Sequence, residues 1–283
     1  MIDTAVIPIA GLATRMGPIG RSLPKAMFPL VTPDGAARPL IRFILDEALA
    51  AGVDRVAVVV SPWQTDLVRS YLAQADRAEG TDLAGLVHYV TQPHPEGFGA
   101  AVLRAKDLVA GRPFLLMLGD YVYTAAPPGS PCAKQVAEAF DQQRPAAMVG
   151  MQAIAPEELP RCGVARGEPL DGNLFRCTAL IEKPDLETAR RELVTPGLPQ
   201  DRFLAHAGIY AFAPELFDCL DELAAADRAD GEEVQLTDAQ IMLLDRRPRD
   251  CYLLQIEGVA HDAGTPAGYA DTFHAVRHDR PGN

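Results

Sequence analysis

Ala10-Gly-Leu-Ala-Thr-Arg-Met-Gly-Pro-Ile-Gly-Arg-Ser-Leu-Pro-Lys-Ala-Met-Phe-Pro-Leu30 is the stretch that decides the fold, and it follows directly on a short apolar run, Thr4–Ile9. An apolar strand opening into a glycine-bearing loop delivers backbone N–H groups to the carboxyl edge of a sheet, where open α/β sheets bind ligands. Arg15 and Lys25 add two cations to that loop, which suits a polyphosphate. The common phosphate motifs do not fit. A Walker loop needs G-x-x-x-x-G-K-[ST], whereas five residues separate Gly11 from Gly17 and no Lys-Ser or Lys-Thr pair follows. The dinucleotide pattern G-x-G-x-x-G fails at Ala13. Pro18, Pro24 and Pro29 each lack an N–H, so the stretch reads as a long ordered loop and not as an immediate helix. Taken alone, it fits a structural loop as well as a phosphate-binding one.

Outward from this loop the first half alternates two kinds of segment. Strands are expected at Thr4–Ile9, Arg55–Val60, Gly85–Thr91 and Pro113–Leu118, with helices at Leu40–Ala51, Gln64–Ala75 and Gly99–Val109. The β-branched run at Arg55–Val60 suits a strand covered on both faces. Such alternation implies right-handed βαβ units and a mostly parallel sheet. The second half is less regular. Strands are expected at Ala146–Ala153, Cys162–Arg166, Phe175–Glu182, Phe203–Phe212 and Cys251–Ile256, and helices at Pro214–Ala225, Thr237–Asp245 and Pro266–Val276. Pro127–Pro131 reads as a stiff loop inside the pattern, and residues 1–283 read as a single domain.

The 283 residues carry a net charge of −12, which argues against a nucleic-acid groove or an anionic membrane surface. It does not exclude a small anionic substrate held by local cations or a divalent metal. There are only four lysines, and Lys25 and Lys183 both stand at proline-marked turns, where a point charge is the plainer use. The five cysteines are scattered, with no C-x-x-C, which suits a reducing cytoplasm and not a zinc site or disulfide framework. No signal peptide is expected at the N-terminus and no apolar run approaches the length of a membrane span.

Four further places carry chemistry. Asp120 ends Leu118-Gly-Asp120 just past a buried strand, and Asp262 lies in His261-Asp-Ala-Gly-Thr-Pro266, before a helix that Thr265 caps and Pro266 starts. Together they make a two-carboxylate site for Mg²⁺; separately each also fits turn or helix-entry chemistry. In Ile181-Glu-Lys-Pro184, Glu182 can accept from sugar hydroxyls and Lys183 can pair with a phosphate monoester, though a surface Glu-Lys pair is equally served. In Gln92-Pro-His-Pro-Glu-Gly-Phe-Gly99, Gln92 offers an amide to a nucleobase edge and Gly97 allows close backbone approach. Gly163 and Gly208 mark either close ligand approach or a bulge.

In this order the motifs resemble the sugar nucleotidyltransferase family, nearly end to end, and within it the bacterial UTP–glucose-1-phosphate uridylyltransferase branch. The resemblance rests on Val6–Met16, Leu23–Leu30, Gln92 with Glu96–Val102, Gly119-Asp120, Cys162–Val164, Ile181–Pro184, Ala207–Tyr210, Glu233–Ala239 and His261–Thr265. It departs at Ala13, where the family loop has a second glycine, and at Gly119, where the uridylyltransferase branch often has proline.

The resemblance implies a Rossmann-like doubly wound α/β fold with a smaller sugar-binding lobe, and Mg²⁺-dependent transfer from UTP to glucose 1-phosphate with release of pyrophosphate. It implies that Ala10, Gly11, Thr14, Gln92 and Gly97 bind the nucleotide, with Arg15 on the β- and γ-phosphates and Lys25 at the α-phosphate. Asp120 and Asp262 would hold the metal, and Gly163, Glu182, Lys183 and Gly208 the sugar phosphate. The expected partners are these small molecules and a second copy of the chain in a homo-oligomer, with neither nucleic acid nor membrane. Thymidylyl transfer, uridylyl transfer to another sugar phosphate, and a non-catalytic nucleotide-sugar-binding regulator are the alternatives.

Overall fold

The computed structural model describes residues 1–126, 128–226 and 233–278. Pro127, in the expected stiff loop, lies outside them. Strands β1 (Thr4–Pro8), β2 (Pro29–Val31), β3 (Ala37–Pro39), β4 (Arg55–Val60), β5 (Val87–Thr91) and β6 (Phe114–Met117) are separated by helices α1 (Leu40–Ala50), α2 (Thr65–Glu79), α3 (Leu83–Leu86), α4 (Phe98–Leu103) and α5 (Lys106–Val109). There follow β7 (Tyr121–Ala125), α6 (Cys132–Gln143), β8 (Ala147–Ile154), β9 (Gly163–Asp171), β10 (Leu174–Glu182), α7 (Leu186–Glu192) and β11 (Phe203–Phe212). The described chain closes with α8 (Glu215–Ala225), α9 (Leu236–Arg246), β12 (Cys251–Gln255), β13 (Gly258–Asp262) and α10 (Pro266–His278).

Nine strands form one sheet in the order β5-β4-β1-β6-β11-β8-β12-β10-β9. All but β10 and β11 point the same way, so the fold is the α/β, mostly parallel one expected. Alternation of Val56, Val58 and Val60 with Ala57 and Val59 along β4 sends side chains into two separate apolar layers. One is backed by α1, α2 and α6, the other by α4, α8 and α9. From β1 the chain passes to β4 on one side, while β6 lies on the other. This reversal of strand order opens a crevice at the carboxyl ends of β1 and β6. The antiparallel half behaves differently. The first half of β11 also pairs with β9, so the β11, β8, β12, β10 and β9 pairings close on themselves around a small second lobe.

Several expectations are corrected. The loop after β1 is not free of helix: 3-10 turns occupy Thr14–Arg21, broken at Gly17, and Lys25–Met27. Prolines bar an α-ladder, but single bonds such as Ser22 N–H to Ile19 O (3.0 Å) and Phe28 N–H to Lys25 O (2.9 Å) remain possible. The helix expected over Gly99–Val109 is two short ones, α4 and α5. Strand β5 starts two residues later than expected because the Asp76 carboxylate accepts the Leu83 and Ala84 N–H groups (both 2.8 Å) and forms α3. Strands β2, β3, β7 and β13 and helix α7 are short and were not foreseen; neither was α6, although Cys132, Ala133, Val136, Ala137 and Phe140 lie buried at helical spacing.

The Leu23–Leu30 segment is fixed by a remote element. Phe28 and Leu30 are buried with Val122, Ala263 and Val276, and the Phe28 ring meets Tyr269 of α10 edge-on at 5.5 Å. Burying each of those two side chains is worth about 1.5–3 kcal/mol, enough to hold Lys25 at the crevice. Among the described residues no helix is long and apolar enough to cross a membrane.

Candidate active site

A cleft of about 490 Å³ opens at the carboxyl ends of β1 and β6 and runs to the second lobe. On its near wall stand Ala10, Gly11, Thr14 and Arg15 of the loop after β1, followed by Lys25. Ala13 takes the left-handed conformation, φ 50°, for which glycine is the ordinary residue, at a cost of about 1–2 kcal/mol. Its methyl is accommodated by Gly20, where any side chain would come within 2.3 Å of the Ala13 carbonyl oxygen.

Gln92 at the end of β5 is buried and donates its amide N–H to the Gly97 carbonyl (3.1 Å). Gly97, φ 105° and ψ 168°, occupies a region open essentially only to glycine. A side chain there would also lie 2.5 Å from the Val234 carbonyl. The Val234 N–H donates to Glu96 O (2.9 Å) and Val234 O accepts from Gly99 N–H (2.7 Å), so residues 96–99 and 233–235 form one wall.

Asp120 and Asp262, remote in sequence, meet because β7 and β13 pair antiparallel, with Asp262 opposite Tyr121 and the Ala263 N–H donating to Asp120 O (2.9 Å). A methyl on Gly264 would lie 2.7 Å from Asp262 Oδ1, 2.9 Å from Asp120 Oδ2 and 3.5 Å from Arg15 Nη2, so the three side chains converge. Lys25 Nζ is ion-paired with Asp120. Burial and then the neighbouring Asp120 push the Asp262 carboxyl above the usual range, against the pull of the Gly264 N–H, Lys25 and Arg15. Among the described residues no three His, Cys, Asp or Glu side chains cluster. Two hard carboxylates with room beside two cations fit a Mg²⁺ whose other ligands are phosphate oxygens and water.

The far wall belongs to the second lobe. Glu182 ends β10; its Oε2 accepts from Thr237 Oγ1 (2.9 Å) at the start of α9, and its Oε1 faces Lys183 Nζ at 3.3 Å. Gly163, paired with Glu182 across β9 and β10, lies beside them. Gly208 is the exception among the expected residues: it does not line the cleft. It has φ 74° in a bulge of β11, and a side chain on it would come within 2.9 Å of the Tyr121 ring. Its freedom admits Tyr121, which does line the cleft. Arg161, His206 and Tyr210 also line it and were not foreseen as site residues. Tyr210 lay within Ala207–Tyr210, where only the glycine drew notice; Arg161 and His206 carried no pattern.

A sequence model of the nucleotidyl transferase family matches residues 4–278. The chain is 32% identical over 296 residues to a UTP–glucose-1-phosphate uridylyltransferase of Streptococcus pneumoniae, covering 98% of this chain and 91% of that protein. It is 30% identical over 288 residues to one of Bacillus subtilis, covering 96% of this chain and 89% of that protein. A crystal structure of UDP-glucose pyrophosphorylase complexed with UDP-glucose superposes with a TM-score of 0.81 at 26% identity, covering 99% of this chain and all of that one. Strand order, crevice and relatives agree: the chain belongs to the nucleotidyl transferase family.

Proposed function

We propose that this chain transfers the uridylyl group of UTP to glucose 1-phosphate, giving UDP-glucose and pyrophosphate. The observation that carries the reading is the convergence of Arg15, Asp120 and Asp262 beside Gly264, with Lys25 on Asp120, at one end of a cleft whose other end holds Glu182 and Lys183. Near-full-length identity to uridylyltransferases supports the choice of substrates.

A phosphate oxygen of glucose 1-phosphate attacks the α-phosphorus of UTP in line. The bond from that phosphorus to the α,β-bridging oxygen breaks, and pyrophosphate leaves with the bonding pair. The nucleophile is already anionic, so no general base is required. The barrier is repulsion and alignment, which positioning and fixed charge lower. Lys25 leaves Asp120 for the α-phosphate and stabilises the charge that develops there. Arg15 holds the departing β- and γ-phosphates, and Lys183 holds the attacking phosphate while Glu182 accepts from the sugar. Asp120 and Asp262 would hold Mg²⁺, which when bound neutralises phosphate charge. The loop at Ala10, Gly11 and Thr14 and the wall at Gln92 and Gly97 receive the nucleoside.

The test is pyrophosphate release with UTP, dTTP, ATP, CTP and GTP against glucose 1-phosphate, with and without Mg²⁺. UTP is expected to lead, and release is expected to require the metal. Preference for dTTP would move the reading to thymidylyl transfer, and tight UTP binding without release would make the chain a binding protein.

A further inference from the structure

His206 has no place in the reaction just derived, yet it is 6% exposed and lines the cleft on the sugar side. Its ring presents two polar edges, one of them partnered. On the cleft edge, Nδ1 faces Tyr210 OH at 3.3 Å. It also faces the notch left by Gly163: a side chain on that glycine would come within 2.9 Å of His206 Nδ1 and 3.0 Å of Glu182 Oε2. The histidine nitrogen and the carboxylate oxygen therefore look onto the same small opening from two sides.

The other edge points inward. His206 Nε2 has no hydrogen-bond partner within the protein, and neither has Gln240 Oε1 of α9; both residues are 6% exposed. The two residues line a common small pocket of about 20 Å³, bounded otherwise mostly by apolar groups such as Val149, Leu180 and Leu253. That is room for one water, which needs roughly 10–15 Å³ and polar partners. A water there donates one hydrogen to Gln240 Oε1; it can give the other to Nε2 or accept from an Nε2–H, and only the first arrangement puts the ring proton on Nδ1, facing Tyr210 OH and the cleft.

We propose that His206 carries its proton on Nδ1 and is a specificity-determining residue, whose Nδ1–H exchanges Tyr210 OH for one ring hydroxyl of the hexose 1-phosphate while the same hydroxyl donates to Glu182. The proposal rests on the uridylyl-transfer reading and names a sugar contact within it. Burial holds the imidazole neutral, its pKa lowered from 6.5 to about 4, so it serves as a dipolar donor at ordinary pH. A neutral donor paired with a carboxylate acceptor suits a hydroxyl. A carboxylate substituent would meet Glu182 as a like charge, whereas an ammonium would pair with Glu182 and leave the N–H unmatched.

The experiment compares kcat/KM, from pyrophosphate release, for glucose 1-phosphate and its 2-, 3-, 4- and 6-deoxy analogues. The proteins are wild type, His206→Leu, His206→Gln and Gly163→Ala. In wild type one deoxy analogue is expected to be penalised most. His206→Leu should shrink that one penalty by roughly tenfold, the worth of a single hydrogen bond, and leave the other three ratios in place. His206→Gln, which keeps an N–H donor, should restore part of it. Gly163→Ala leaves the ring intact but fills the notch, and should erase the same penalty. If His206→Leu does not fold, Gly163→Ala decides. A common loss on all five substrates, or unchanged ratios, makes His206 a packing residue and overturns the proposal. Absence of turnover by wild type with UTP and every sugar phosphate is a different result; it removes the reaction itself.

Discussion

The two walls of the cleft are built in opposite ways. The wall proposed for the nucleotide comes from connections leaving the carboxyl ends of the parallel strands β1, β5 and β6, the first of them long, so its functional groups sit in contiguous runs such as residues 10–30 and 92–99. The sugar wall comes from long antiparallel strands, β9, β10 and β11, and from the start of α9, each giving one or two side chains. A crevice at a reversal of strand order concentrates backbone N–H groups and therefore needs motifs. A wall of strand faces needs only the right side chain at every second position, and it can change one contact at a time.

The largest expected effect tests the first wall. Lys25→Ala should lower kcat by roughly 10²–10³, about 2.7–4 kcal/mol, as loss of a donor to developing charge does. Single-turnover pyrophosphate release measures it, and turnover within threefold of wild type would take Lys25 out of the reaction. Next is the rigid turn between the walls. Gly97→Ala puts a side chain at φ 105° and against the Val234 carbonyl. It should cost about 1–3 kcal/mol of stability, read from urea midpoints, together with weaker UTP binding; an unchanged midpoint would show the turn to be pliable.

The sugar wall is expected to respond to acid. Since His206 has its pKa lowered to about 4, the unfolded chain takes up a proton near pH 6.5 that the folded chain refuses. Stability contributed by this residue is therefore present above about pH 6.5 and is lost as pH falls toward 4, by about 2 kcal/mol between pH 7 and pH 5. Urea titrations of wild type and His206→Leu at both values should differ in their change with pH by that amount; parallel behaviour would show that the folded chain protonates the ring as readily as the unfolded one. The smallest effect is expected at the rim. Thr237→Val removes the 2.9 Å bond to Glu182 and should raise KM for glucose 1-phosphate by roughly two- to tenfold with kcat little changed. A pure fall in kcat would instead place Glu182 at the reacting phosphate.

This asymmetry is also why the sequence was legible unevenly. The parallel half, with β4 as Arg55–Val60 and the Asp120 turn, was readable because buried runs and glycine punctuation are local signals. Strand β11 was also read to the residue, its ten positions being buried throughout. Helix α6 escaped although Cys132, Ala133, Val136, Ala137 and Phe140 are buried at helical spacing, because it opens directly after the proline-rich loop that drew the reading there. The β7–β13 ladder escaped because its partners lie far apart in the chain, so Asp120 and Asp262 were paired only as two acidic turns that each follow a strand, with no ladder foreseen between them. His206 escaped for a third reason: on a fully buried strand nothing in the sequence says which face meets the cleft.

The contact between Lys25 and Asp120 means the ammonium already has a counter-ion before any substrate arrives. Nucleotide entry is then a partner exchange at constant charge, and little net attraction for a distant triphosphate originates from that lysine. On the proposed reading, long-range capture falls to the exposed cations of the cleft, Arg15, Arg161 and Lys183, so added salt should slow association through them while leaving the step assigned to Lys25 nearly untouched.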